Sequence, residues 1–302
     1  MNPARLRAYF LLFIMSVIFG IAGPVIKLTL GGFSPDLFLF YRFFLASCAA
    51  IVIFSFKGFK FPKKMGVIFM LVAYAFITTT VALGLLFWGL DKTTVLDMSL
   101  ISIFGPILVI IAGSLFLGET VTKREKFGIL IALAGSLLIT AEPILNSEHN
   151  GKLTGNLIIV GSVIATAVSS VLLKKVLREG VDPLILTNIS FIVGFLTMIP
   201  VVLYGHSLPG VIQTISAAPI RYHLGVFYMA FISGTLAYTL GNIAQKTIEI
   251  SEAALFSYVY PIFSAILAVA YLGDKFTLPA AAGSVITLVG VAIAEFKKKR
   301  YN

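Results

Sequence analysis

The chain has 302 residues, 59% of them hydrophobic and only 12% charged, with a formal net charge of +10 and a mean hydropathy of +1.01. A soluble domain carries about 25% charged residues, so this chain cannot build an aqueous surface and takes lipid as its solvent. Its Lys and Arg residues sit in short clusters between apolar runs, which argues against nucleic acid as a partner, and the lone Cys48 excludes an internal disulfide framework or a cysteine-rich metal site.

A bilayer core of about 30 Å takes roughly 20 apolar residues per helix. Arg5 and Arg7 precede the first apolar stretch as in a secretory signal, but Gly23-Pro24 lies inside the run and many spans follow, so 8–27 reads as a retained first helix. Further helices are predicted at 35–56, 65–88, 94–117, 123–142, 154–177, 183–204, 222–245, 251–272 and 278–296. The longest breaks, around 142–154 with Pro143, Asn146, Asn150 and Gly151, and around 205–221, read as loops. The expected fold is all-α: a polytopic membrane protein of ten transmembrane helices arranged as two inverted five-helix repeats. Ten spans put both termini on one side, with seventeen Lys and Arg residues on that side, five on the other and Arg42 inside a span. By the positive-inside rule, this is a multi-pass protein of the cell membrane with both termini cytoplasmic.

Residues 104–136 match 259–291 at a constant offset of 155 without gaps. The pairs include Pro106 with Pro261, Gly118 with Gly273, Glu119 with Asp274, Thr122 with Thr277, Gly128 with Gly283 and Gly135 with Gly290. Pro35 and Pro183 each open a helix, and Lys27 and Lys174 each close one. The expected units are 1–145 and 152–302. Since five is odd, the second enters the membrane upside down, an arrangement that recurs in secondary transporters with the solute site between the halves.

The Pro106 helix running into Leu117-Gly118-Glu119, the Gly128 and Gly135 helix, their echo in the second half, and Arg42 seven residues beyond Pro35 resemble the EamA-type members of the drug/metabolite transporter superfamily. The resemblance implies a central cavity lined mainly by helices 1, 3, 4, 6, 8 and 9, with 5 and 10 peripheral, and transport by alternating access. It also implies solutes such as amino acids and other metabolites, or nucleotide sugars and phosphorylated sugars in related members. Asp274 stands where the family more commonly has Glu, and Trp88, Asp91 and Lys92 have no carried-over role.

Arg42 lies roughly 10 Å into its helix, where a charge is costly. It either faces a cavity and engages a solute carboxylate or phosphate, or it snorkels outward or binds loop carbonyls and a carboxylate. Asp97 and Glu252, 155 apart near the starts of the fourth and ninth helices, are either proton-coupling groups or acids favoured by the helix dipole. Glu119 and Asp274 read as turn residues, Thr122 with Glu125 as a capping box, and Thr277 as the residue ahead of the Pro279 helix. The stripe Gly128, Ala132, Ser136 reads as a packing or dimer face, which leaves monomer and homodimer open.

Pro24, Pro106 and Pro261 each interrupt a span as hinges or cavity-lining residues. On the eighth helix Phe231, Thr235, Tyr238 and Asn242 share one face; with Tyr258, Tyr74, Thr78, Thr166 and Ser170 they either bind solute or bond helix to helix. His149, His206 and His223 fall in connections or at a helix edge, where they assemble no intramembrane metal site, and neither a phosphate-cradling loop nor a nucleophile elbow is present. No cofactor and no enzymatic activity are expected. The partners are a small-molecule solute and membrane lipid. The expected function is secondary transport, in the direction of efflux, of amino acids or related amphipathic metabolites, with a nucleotide-sugar or phosphorylated-metabolite exchanger and a channel or scaffold as alternatives.

Overall fold

The structure, a computed structural model, describes residues 3–57, 62–145, 153–272 and 277–295. Gly273, Asp274, Lys275 and His149 lie outside the described residues. The regular structure among the described residues is all helical: α1 (Pro3–Thr29), α2 (Pro35–Lys57), α3 (Met65–Lys92), α4 (Val95–Ser102 and Gly105–Leu117), α5 (Lys123–Leu145), α6 (Leu153–Arg178) and α7 (Pro183–Gly205). Then follow α8 (Ile220–Thr247), α9 (Ile250–Leu255, a 3₁₀ turn Phe256–Val259, and Tyr260–Leu272) and α10 (Leu278–Glu295). Among the described residues seven of these, α1 to α4 and α6 to α8, contain stretches long and apolar enough to cross a membrane, and Ala281–Ala294 in α10 is a shorter apolar helix.

Local chemistry sets the helix ends. Asp182 caps α7 by accepting from the N–H groups of Leu184 and Ile185, with Pro183 in the first turn where its missing N–H costs nothing. Thr122 and Glu125 make both bonds of a capping box, at 2.5 and 3.2 Å, to start α5. Gly118 ends α4 at φ 69°, a left-handed conformation that favours glycine.

Three features depart from the sequence expectation. The 205–221 connection contains a short, mostly exposed helix, Leu208–Ala217, started by the Ser207 hydroxyl accepting from Gly210 N–H. Pro24 lies inside an unbroken α1 rather than interrupting it. Only Pro106 and Pro261 sit at irregularities: α4 breaks at 103–104, and α9 tightens into its 3₁₀ turn, at positions that correspond under the 155 offset. Finally, α3 and α8 each contain a π-helical segment, Phe76–Leu83 and Tyr228–Ala237, which overlap when shifted by 155.

The packing crosses between the two halves of the chain. α1 lies against α8 and α9, α6 lies against α3 and α4, and α2 packs along α7. α5 and α10 run antiparallel along a glycine seam, with Gly128 facing Gly290 and Ala294, and Gly135 facing Gly283 and Thr287. A Cβ on Gly135 would stand 2.5 Å from Thr287 N, so only glycine permits this approach. Ala132 and Ser136 are fully buried on the same side. The Gly128 stripe is therefore filled by α10 of the same chain, which is the packing reading of that stripe.

Candidate solute cavity

A cavity of about 380 Å³ lies among α1, α3, α4, α6, α8 and α9, with Arg42 of α2 in its wall. Of the residues singled out from sequence, Tyr74 and Thr78 of α3, Thr166 and Ser170 of α6, and Tyr238 and Asn242 of α8 line it, as do Pro24, Pro106 and Pro261. The α6 hydroxyls are oriented by their own backbone. Thr166 Oγ1 donates to Ser162 O at 2.9 Å and Ser170 Oγ to Thr166 O at 2.8 Å, leaving oxygen lone pairs free to accept. Asn242 Nδ2 donates to Thr187 Oγ1 of α7 at 2.8 Å, which fixes its amide against the wall.

Thr235, Tyr258, Phe231, Asp97 and Glu252 do not belong to the lining. Thr235 Oγ1 donates to Ala230 O, five residues back, as the wider π turn allows. Tyr258 is 1% exposed and packs with the α5 and α10 residues Ala132, Ile139 and Val291. Conversely, Ser162, Ser169, Ser233, Gln245 and Tyr260 line the cavity without having been singled out. Ser233 corresponds to Thr78 under the 155 offset, a signal that the repeat alone carried.

Arg42 is fully buried, so it does not snorkel. Its Nε, Nη1 and Nη2 have no hydrogen-bond partner among the described residues, so it does not bind loop carbonyls or a carboxylate either. Instead its guanidinium stands 5.7 to 6.0 Å from the ring centroids of Phe87, Phe43 and Phe191. Among the described residues lining the cavity, Arg42 is the one with a formal charge.

The two acids lie at opposite ends of the cavity, each at a helix start. Asp97 Oδ2 accepts from Thr93 Oγ1 at 3.1 Å; that hydroxyl also lies 2.6 Å from Asn156 Oδ1 at the start of α6. Glu252 Oε2 pairs with Arg5 Nη2 at 2.5 Å and accepts from Tyr9 OH at 3.2 Å, both at the start of α1. Glu119, expected to be a turn residue, reaches further: its two oxygens accept from Ile250 N–H and Ser251 N–H, each at 3.0 Å, capping α9 from the end of α4.

Two lysines complete the pattern. Lys27 Nζ donates to the carbonyls of Leu90 and Thr93 at the end of α3, at 2.7 and 2.8 Å. Lys174 Nζ donates to Gln245 and Ile248 at the end of α8, at 2.6 and 2.5 Å. The accepting carbonyls correspond one to one under the 155 offset. His206 pairs with Asp36 and His223 with Tyr41, each at 3.1 Å, and no group of three or more metal-ligating side chains occurs among the described residues.

Residues 6–141 and 153–296 match the EamA-like transporter family. Over 292 residues the chain is 27% identical to YyaM, an uncharacterized transporter of Bacillus subtilis, covering 96% of this chain and 94% of that one. It is 26% identical over 274 residues to an uncharacterized transporter of Archaeoglobus fulgidus, covering 90% and 92%. A chloroplastic WAT1-related protein of Arabidopsis thaliana is 21% identical over 260 residues, 85% of this chain and 61% of that relative's length. A solved crystal structure has the same fold, with a TM-score of 0.71 over 97% of each chain at 16% identity.

Proposed function

The chain belongs to the EamA-like transporter family, within the drug/metabolite transporter superfamily, and from that premise we propose that it is a secondary carrier moving a small amphipathic metabolite by alternating access. In this reading 1–145 and 152–302 are inverted five-helix repeats, ten helices cross the membrane, both termini are cytoplasmic, and the direction is efflux. The observation that carries it is the cavity, whose wall draws on helices of both halves and mixes apolar surface with a few hydroxyl and amide groups.

Two crossed features support the inversion. Matched glycines of α5 and α10 meet in antiparallel order, and Lys27 and Lys174 cap equivalent helix ends. For alternation, the Glu119 and Arg5–Glu252 contacts draw α1, α4 and α9 together at one end, while Thr93, Asp97 and Asn156 join α3, α4 and α6 at the other. We assign these acids to closing contacts rather than to proton transfer. Arg42, Tyr74, Thr78, Thr166, Ser170, Tyr238 and Asn242 are the solute-facing residues, with Pro24, Pro106 and Pro261 shaping the wall.

The test is flux in proteoliposomes of compounds selected by a metabolite thermal-shift screen. Saturable flux is expected, with Asn242→Ala raising KM about tenfold if one hydrogen bond to solute is lost. Flux linear in concentration and indifferent to Asn242→Ala would overturn the carrier reading.

A further inference from the structure

The cavity wall contains a full positive charge that no described side chain compensates. Arg42 is fully buried, and none of its three guanidinium nitrogens has a hydrogen-bond partner among the described residues. The three phenyl rings around it supply cation–π attraction, but this is weaker than the desolvation of a buried ion, which calls for a paired, hydrogen-bonded counter-ion. No acidic side chain lines the cavity among the described residues. Asp36, on the same helix, is held by His206, while Asp97 and Glu252 have their own partners at the two ends.

Resting on the reading of this cavity as the solute path, we infer that the solute is an organic monoanion whose carboxylate pairs with Arg42 and whose apolar body lies against the Met, Phe and Pro side chains of the wall. One cation balances one negative charge. A phosphate dianion or a nucleotide sugar would bring charge that nothing else in the lining neutralises. A zwitterionic amino acid would present its ammonium to neutral oxygens alone, so removal of the amino group improves the fit. The guanidinium matches a carboxylate bidentately, and a low-dielectric wall strengthens the pair. Because Arg42 has no exposed surface in this state, pairing requires wall side chains around its guanidinium to shift, so the charge is uncovered only for a solute that seats fully.

The experiment uses the full chain in detergent and four compounds of nearly equal shape: 3-phenylpropionate, 3-phenylpropionamide, 3-phenylpropylamine and phenylalanine. Calorimetry and thermal shift at neutral pH are expected to rank 3-phenylpropionate first, by about tenfold or more over the amide, the difference a charge-assisted pair makes. Arg42→Gln should bring the carboxylate down to the amide, and Arg42→Lys should restore part of the preference. Equal binding of carboxylate and amide, tighter binding of phenylalanine, or no binding of the carboxylate overturns the inference. If Arg42→Gln does not fold, the wild-type ranking decides alone. Carboxylate binding without saturable flux would sink the carrier reading and leave the Arg42 pairing intact.

Discussion

At the scale of single residues, the clearest result is what Lys27 and Lys174 do. From sequence they are matched helix ends and contribute to the charge count; in the structure each ammonium holds two carbonyls at the end of another helix. Helix C-termini leave carbonyls unpaired, and a cation there satisfies them and opposes the dipole. Lys27→Met and Lys174→Met should therefore each cost about 2–3 kcal/mol, the loss of charge-assisted bonds to partly buried acceptors, read as a lower unfolding midpoint in detergent. The matching was legible because both residues close a helix before a Gly- or Pro-containing turn. The destination was not, because it depends on where α3 and α8 end in space. Thr235 shows the same limit: a helical face drawn at 3.6 residues per turn includes it, but the π segment shifts the register and brings Ser233 to the wall instead. Tyr258 fails for the opposite reason, since the 3₁₀ turn winds tighter than the α-helix assumed for it.

At the scale of elements, the start of α9 is held from another helix end. Glu119 gives both carboxylate oxygens to the first N–H groups of α9, satisfying donors that a helix cannot satisfy internally. Glu119→Ala leaves those donors open and Glu119→Gln keeps one neutral acceptor. In a Cys48→Ala background, a cysteine placed at Ala253, in the cavity wall near this contact, reports its opening by thiol labelling. Labelling should speed up about tenfold in Glu119→Ala and less in Glu119→Gln; unchanged labelling in both would mean the contact is not a closing device. The helices themselves were legible because lipid demands continuous apolar runs with internally paired backbone. Their irregularities were legible only where a proline announced them, at Pro106 and Pro261; the two π segments have no local signature, and the Leu208–Ala217 helix was hidden by its Gly, Pro and Ser residues.

At the scale of the molecule, the glycine seam between α5 and α10 joins the two halves. Gly135→Leu and Gly290→Leu would each drive a side chain into backbone of the facing helix, and overpacking of this kind costs about 1–3 kcal/mol. Both variants should unfold at lower temperature with no change in oligomeric state, measured by light scattering. A shift in oligomeric state with stability unaltered would return the seam to an interface between chains. The duplication was legible in the 155 register, since apolar bias alone does not align Pro, Gly and acid. That the matched glycines would meet each other was not, because a repeat fixes correspondence and leaves contact open.

The crossed packing of α1 also bears on how the molecule is made. α1 is made before α8 and α9, yet Ser16 donates to Phe256 O and the buried face around Leu12 and Met15 rests on Ala237, Ala244 and Phe256, all belonging to α8 or α9. During synthesis this helix must wait in the bilayer with its polar and small-residue face bare until most of the chain has been inserted. Ribosome stalling or truncation anywhere before α8 would leave a membrane-inserted fragment lacking α1's docking site, the kind of product that quality-control proteases recognise.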